Sequence, residues 1–236
     1  VDCGKTFQGW FAGICNECAA KRERLEQSRE EEAQRLRAKE AERQRITQAG
    51  ISGYWYPRGT FEASDTGLHP EALSIARDYA ERFTLQSPSL LFFGSNYGVG
   101  KTHLAMCIAN YALRERGVVV VVKKARDLLL ELRNLFSDKT EQTEKTYLDY
   151  ILSVPLLVLD DVGRDRPTEW TDGVYWTIFD RRMENQLPMI ITTNRSLREP
   201  ANQADDIGLW IGEGARSRLL RMTEGRVIEL AGDDLR

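Results

Sequence analysis

The 236-residue sequence lacks any apolar run approaching the roughly 18 to 20 residues that a bilayer-spanning helix requires. Its first residues, VDCGKTF, lack the apolar stretch of a secretory signal. Both absences set the expectation of a cytoplasmic protein without membrane attachment. Charge of one sign is lacking too: 33 Lys and Arg against 36 Asp and Glu leave a net charge of -3. No global field therefore draws the chain to nucleic acid, and such binding needs a local basic cluster. Histidine is scarce, with two residues, and cysteine nearly so, with four. Cys107 lies in the apolar stretch AMCIANYAL, where a thiol behaves as a small buried hydrophobe. Cys3, Cys15 and Cys18 crowd together at the N-terminal end.

What is present divides the chain into three. Residues 1–20 are rich in Gly, Cys and aromatics, residues 21–48 are almost all charged or Gln, and residues 49–236 read as a globular domain. Cys15-Asn-Glu-Cys18 has zinc-knuckle spacing, and Cys3-Gly-Lys matches the second half of a C-x-x-C-G-K knuckle. A structural zinc needs four ligands; His69 and His103 are remote, and the chain starts with Val1 rather than Met. The expectation is a zinc module whose fourth ligand is a cysteine just upstream. A complete site contributes an apparent ~10 to 16 kcal/mol of binding. The plainer alternative is three unrelated thiols. In the charged segment, Leu25, Leu36 and Ile46 are too sparse for a coiled-coil seam. Glu31 with Arg35, and Glu26 with Arg29, support a solvated helix about 40 Å long. It reads as a spacer or as a partner-binding helix.

From residue 89 onward, short apolar runs alternate with helical periods. The runs are LLFF at 90–93, VVVVV at 118–122, LLVL at 156–159, MIIT at 189–192 and VIEL at 227–230. Continuous apolar runs imply strands buried on both faces, and their alternation with helices predicts a mostly parallel, five-stranded α/β sheet flanked by helices. Ligands of such sheets bind beyond the carboxyl ends of the strands.

The chemistry gathers at those ends. LLFFGSNYGVGKTHL runs from strand through a glycine-bearing loop into a helix, the layout of a phosphate-binding P-loop. Glycines let backbone amides approach an anion, and the helix N-terminus adds a favourable field. Gly98, Val99, Gly100, Lys101, Thr102 and His103 form the expected nucleotide-binding set. Lys101 reaches the β and γ phosphates, and the Thr102 hydroxyl is suited to Mg2+. The strict pattern places glycine at 95, where this chain has Ser95, with Gly94 one residue early. In LLVLDDVG a buried run ends in paired carboxylates: Asp160 is assigned to Mg2+ and Asp161 to the attacking water. MIITTNRS ends in Asn194, whose amide suits positioning that water; on its own it would be an ordinary turn residue. GEGARSRLLRM carries Arg216, Arg218 and Arg221, whose guanidinium groups suit transferring phosphoryl charge, or simply make solvated surface pairs.

GVGKTHLA, LLVLDDVG, TEW followed by a helix, MIITTN and SRLL together resemble the DnaC/DnaI-type replicative helicase loaders, AAA+ ATPases related to DnaA and to the IstB transposition helper. The resemblance covers roughly residues 50–236. It implies a P-loop built on Lys101 and Thr102, a Walker B pair at Asp160 and Asp161, Asn194 as sensor 1 and Arg218 as an arginine finger acting across subunits. It also implies that the domain lacks a helical lid, since few residues follow Arg218. By the same resemblance Lys123, Lys124 and Arg126 are the candidate single-stranded DNA contacts, although a short basic run is usually just solvated. The N-terminal zinc module resembles the part of DnaI-type loaders that docks on the helicase. The implied function is an ATPase that loads a hexameric DnaB-type helicase onto single-stranded DNA, assembling with copies of itself when ATP is bound. Two alternatives stay open: an IstB-like transposition helper, and a nucleotide-gated adaptor that scarcely hydrolyses ATP, hinted at by the short Asp161.

Overall fold

The computed structural model describes residues 16–64, 69–137, 141–197 and 205–234. Helices α1 (Asn16–Gln48), α2 (Trp55–Arg58) and α3 (Pro70–Glu81) precede the first strand, β1 (Leu90–Phe93). Then follow α4 (Lys101–Arg114), β2 (Val120–Lys124), α5 (Ala125–Ser137), α6 (Glu141–Ser153), β3 (Leu156–Val162), α7 (Glu169–Glu184), β4 (Met189–Thr193), α8 (Gly208–Ile211), α9 (Glu213–Thr223) and β5 (Val227–Glu229). The strands pair in the order β2-β3-β4-β1-β5, every pair parallel. Parallel neighbours cannot be joined by tight hairpins, so helical crossovers connect them. The valine run forms its strand later than the sequence suggested, because Val119 is 53% exposed and the pairing with β3 begins at Val120.

Alternation along the strands divides the core into two layers. Leu90 and Phe92 of β1 point into one layer with Leu104 and Ile108 of α4 and Ala76 and Tyr79 of α3. Leu91 and Phe93 point into the other, with Leu128 of α5, Ile178 and Phe179 of α7, and Leu219 of α9. Residues on both faces are buried, which is why the strands read as uninterrupted apolar runs.

The chain divides into two units between Arg45 and Ile46. In the first, α1 is exposed along residues 19–45 apart from half-buried Glu42, and it carries Arg22–Glu26 at 3.8 Å. Helix α1 starts at Asn16, so Cys18 lies on it; Cys3 and Cys15 lie outside the described residues. The second unit begins with Ile46, which is buried in the layer built on α3 and α4. No helix among the described residues is long and apolar enough to cross a membrane.

Candidate nucleotide site

The loop between β1 and α4 turns through two glycines with positive φ, Gly98 at 77° and Gly100 at 97°, a region that side chains rarely adopt. Gly100 is the N-cap of α4 and offers no side-chain cap, so amides of the first turn keep their capacity for an external acceptor. Gly94 serves a different purpose. A Cβ there would lie 2.1 Å from the Leu230 carbonyl oxygen, and the Leu230 amide donates to the Phe93 carbonyl at 2.8 Å. Glycine at 94 is thus required for close packing against the segment after β5, which accounts for its place outside the strict P-loop spacing.

Lys101 is buried at the start of α4, and its Nζ donates to the carbonyls of Gly94 at 2.8 Å and Asn96 at 2.7 Å. Burial lowers its pKa, while Asp161 and Asp160 act in the opposite direction. Beside it, Thr102 Oγ1 donates to Asp160 Oδ1 at 2.7 Å, and Thr192 Oγ1 on β4 donates to the same oxygen at 2.7 Å. Asp160 Oδ2 has no partner among the described residues. Burial raises the Asp160 pKa above the ordinary carboxylate range; the Thr192 and Thr102 hydrogen bonds and Lys124 oppose that shift, and Asp161 adds to it. A divalent cation would reverse the effect of burial. A hydroxyl next to a carboxylate with one oxygen uncommitted is a hard-oxygen donor set that fits Mg2+, and uncapped amides beside a lysine fit phosphate.

Asp161 follows at a register shift between β3 and β4, with φ at 62°. Such a bulge re-aims side chains at strand ends. Its amide donates to Thr192 Oγ1 at 2.9 Å, its Oδ2 accepts from Arg164 Nη1 at 2.8 Å, and its Oδ1 accepts from Asn194 Nδ2 at 3.3 Å. Lys101, Thr102, Asp160, Asp161 and Asn194 are thus linked through hydrogen bonds and charge. Two participants were not apparent from sequence. Thr192 ties both aspartates to β4, and Arg164 holds the second of them. The only sequence signal for Thr192 was a hydroxyl in an otherwise apolar run.

The other members of the expected set stand differently. Val99 is buried in the core. His103 is bonded to Ser64 Oγ at 2.9 Å and lies edge-on to Trp55; burial lowers its pKa, keeping it neutral at pH 7. Arg218 contacts Asp180 and Trp176 on α7 instead of the Lys101 group. Lys123 Nζ is bonded to both oxygens of Glu131, at 2.8 and 2.7 Å, and Arg126 faces Asp165 at 3.7 Å. Lys124 is exposed, at the β2 position paired with Asp160. Among the described residues no group of three His, Cys, Asp or Glu is arranged to hold a metal.

A cavity of about 420 Å³ opens between α3 and β5, lined by residues including His69, Ala72, Ile75, Val227 and Ile228. Gly232 lies against the His69 ring and accepts a hydrogen bond from Asn96 Nδ2 at 2.8 Å. Two residues on, the Asp234 carboxylate lies so close to Gly98 that a Cβ there would meet Oδ1 at 1.9 Å. Residues 232–234 therefore join the cavity to the phosphate loop.

The family model of the IstB-like ATP binding proteins matches residues 70–233, more than half of the chain. The chain belongs to this family. Among curated relatives of this IstB-like chain, the replicative helicase loader DnaC of Escherichia coli K12 is 32% identical over 128 residues, 54% of this chain and 51% of DnaC. DnaI of Bacillus subtilis, also a replicative helicase loader, is 33% identical over 107 residues, 45% of this chain and 33% of DnaI. The chain thus spans about half the length, or less, of these curated relatives. A crystal structure of the DnaC helicase loader superposes with a TM-score of 0.64 at 27% identity, covering 75% of this chain and 98% of that one. DnaA from Aquifex aeolicus bound to AMPPCP shares the fold, with a TM-score of 0.58 at 23% identity over 75% of this chain and 51% of that one. The sheet and its helices are those of the AAA+ domains of DnaC and DnaA.

Proposed function

We propose that this chain binds ATP with Mg2+ at the loop of Gly98, Val99, Gly100, Lys101, Thr102 and His103, hydrolyses it, and uses the cycle to load a hexameric replicative helicase onto single-stranded DNA. The observation that carries the reading is the linkage of Thr102, Asp160, Thr192, Asp161 and Asn194 beside Lys101. Thr102 and Asp160 would hold Mg2+, which screens the phosphates and polarises them. Asp161 and Asn194 orient the attacking water, and Lys101 and the loop amides hold the β and γ phosphates. The cavity between α3 and β5 has the volume of a small-ligand pocket and is assigned to the base. Arg218 is assigned to the nucleotide of a neighbouring copy. The similarity to DnaC and DnaI supports the helicase as partner.

Lys123, Lys124 and Arg126 are proposed as the contacts to single-stranded DNA, with Lys124 the strongest, because Glu131 and Asp165 oppose the charges of the other two. Cys3, Cys15 and Cys18 are proposed zinc ligands of an N-terminal module at residues 1–20 that grips the helicase, joined by residues 21–48 to the ATPase domain at 49–236; metal analysis of the purified chain tests the zinc. A second reading, a nucleotide-gated adaptor with little hydrolysis, is favoured by the hold of Arg164 and Asn194 on Asp161.

Calorimetry with ATP and Mg2+ tests the site. Binding by the wild type and its loss in Lys101→Ala is the expected result; equal binding by both would remove the P-loop assignment. Turnover with and without single-stranded DNA separates the two readings, since the adaptor would bind without appreciable phosphate release. Co-purification with a hexameric helicase tests the partner, and preferential binding to duplex DNA without helicase would favour a transposition helper.

A further inference from the structure

The three arginines near α9 have different surroundings. Arg216 is engaged within the chain, facing Asp206 at 3.2 Å and Glu213 at 3.8 Å and donating to the Leu197 carbonyl at 3.2 Å. Arg221 is exposed and has no partner among the described residues. Arg218 lies between these extremes. Its Nε donates to Asp180 Oδ1 at 2.8 Å, its guanidinium carbon lies 5.4 Å from the centre of the Trp176 ring, and its side chain is 31% exposed. Its Nη1 and Nη2 have no partner among the described residues.

The arrangement follows from helical spacing. Trp176 and Asp180 are four residues apart on α7, and Gly214 and Arg218 are four apart on α9, so each pair stands on one face of its helix. Trp176 lies against α9 where Gly214 stands: a Cβ there would meet Trp176 Cδ1 at 2.9 Å. Glycine lets the indole reach the α9 backbone, and the same indole borders the guanidinium one turn further on. A carboxylate on the Nε edge fixes the plane of a guanidinium and leaves the Nη pair free for a second, bidentate oxyanion.

We propose that Asp180 and Trp176, seated by Gly214, are positioning residues that hold Arg218 with its Nη edge free to engage the phosphate oxygens of a nucleotide bound to a second copy of this chain. The inference rests on the assignment of Arg218 under Proposed function and names what makes it competent. Misplacing a reacting group by about 1 Å can cost on the order of 10²-fold in rate.

The test uses the full chain with ATP, Mg2+ and single-stranded DNA. Asp180→Ala and Gly214→Ala are expected to lower kcat roughly 10- to 100-fold while leaving the KM for ATP within about twofold, the pattern of a group that acts only on the transition state. Asp180→Asn, which keeps an oxygen acceptor, recovers most of the loss. An equal mixture of Asp180→Ala and Lys101→Ala chains turns over faster than either alone, because the second supplies a sound Arg218 to the nucleotide held by the first. The thermal midpoints of Asp180→Ala and Gly214→Ala are measured alongside, and a kcat loss at an unchanged midpoint separates lost positioning from a folding defect. If Arg218→Ala is inactive but Asp180→Ala and Gly214→Ala match the wild type, the positioning role is overturned and the role of Arg218 survives. Unchanged turnover in Arg218→Ala, or no turnover in the wild type, overturns both.

Discussion

Cys107 shows how a single side chain can be plain in sequence for one property and silent for another. Its place in an apolar helical period foretold burial, and it is fully buried. The period said nothing of Ser64, whose Oγ lies 3.4 Å from the sulfur and 2.9 Å from His103, because that contact joins positions 43 residues apart. Burial pushes the thiol pKa up from 9.0 to about 11, against the smaller opposing effect of the Ser64 hydrogen bond. Between those values the unfolded chain releases the proton and the folded chain retains it. The resulting stabilisation is complete below about pH 9 and is lost as pH rises through about 11, with a slope of at most ~1.4 kcal/mol per pH unit. Urea denaturation across this window should show the wild type losing stability faster than Cys107→Ala. Iodoacetamide at pH 8, followed by peptide mass spectrometry, should label Cys107 only under denaturing conditions. Rapid labelling of the native chain would contradict the enclosed thiol.

At the scale of elements, strands were legible because burial on both faces leaves an unbroken apolar run, whereas contacts between elements were not. Trp170, Val174, Ile178 and Arg182 recur at every fourth position of α7, and periodicity cannot distinguish a buried arginine in such a stripe from an exposed one. Arg182 is wholly enclosed. Its Nη1 donates to the carbonyls of Ile151 at 3.1 Å, Leu152 at 3.4 Å and Val154 at 3.0 Å, and its Nη2 to that of Pro188 at 2.8 Å. It therefore closes the C-terminal end of α6, where carbonyls lack intrahelical partners, and ties that end to the entry of β4. Burial lowers its pKa to about 9, so it remains charged at neutral pH. Arg182→Leu leaves these carbonyls buried without donors and should destabilise the chain by about 3 kcal/mol or more, a fall of roughly 6 to 12 °C in Tm. A thermal melt by circular dichroism checks it. The same blindness to contacts between strands hid Thr192, and the pairing of Arg164 with Asp161 forms only through the turn the chain takes after β3, whereas Lys101, Thr102 and Asp160 stood out by local order.

On the scale of the whole molecule, the sheet's β2 edge explains where the second unit begins. An edge strand presents unpaired backbone groups, and here the Val122 amide donates to the Ala49 carbonyl at 2.7 Å. Gly50, with φ at 74°, permits this approach, since a Cβ there would lie 2.5 Å from the Val122 oxygen. Ile46, Ala49 and Ile51 are buried beside the covered edge. The charge-rich composition of 21–48 suggested a domain start near 49, but one isoleucine within it packs with the core, and an isolated apolar residue in a polar helix carries no signal of what it meets. A chain beginning at Ile46 should retain the main unfolding transition of the full protein. One beginning at Gly53 loses two buried isoleucines at about 1.5 to 3 kcal/mol each and a backbone bond at about 1 kcal/mol, so its stability should fall by on the order of 5 kcal/mol. Urea denaturation of the two shortened chains, followed by tryptophan fluorescence, measures the difference. Equal midpoints and slopes would mean that residues 46–52 contribute nothing to the core of the second unit, whereas a matching loss in the chain that starts at Ile46 would make the exposed part of α1 a stabilising element in its own right.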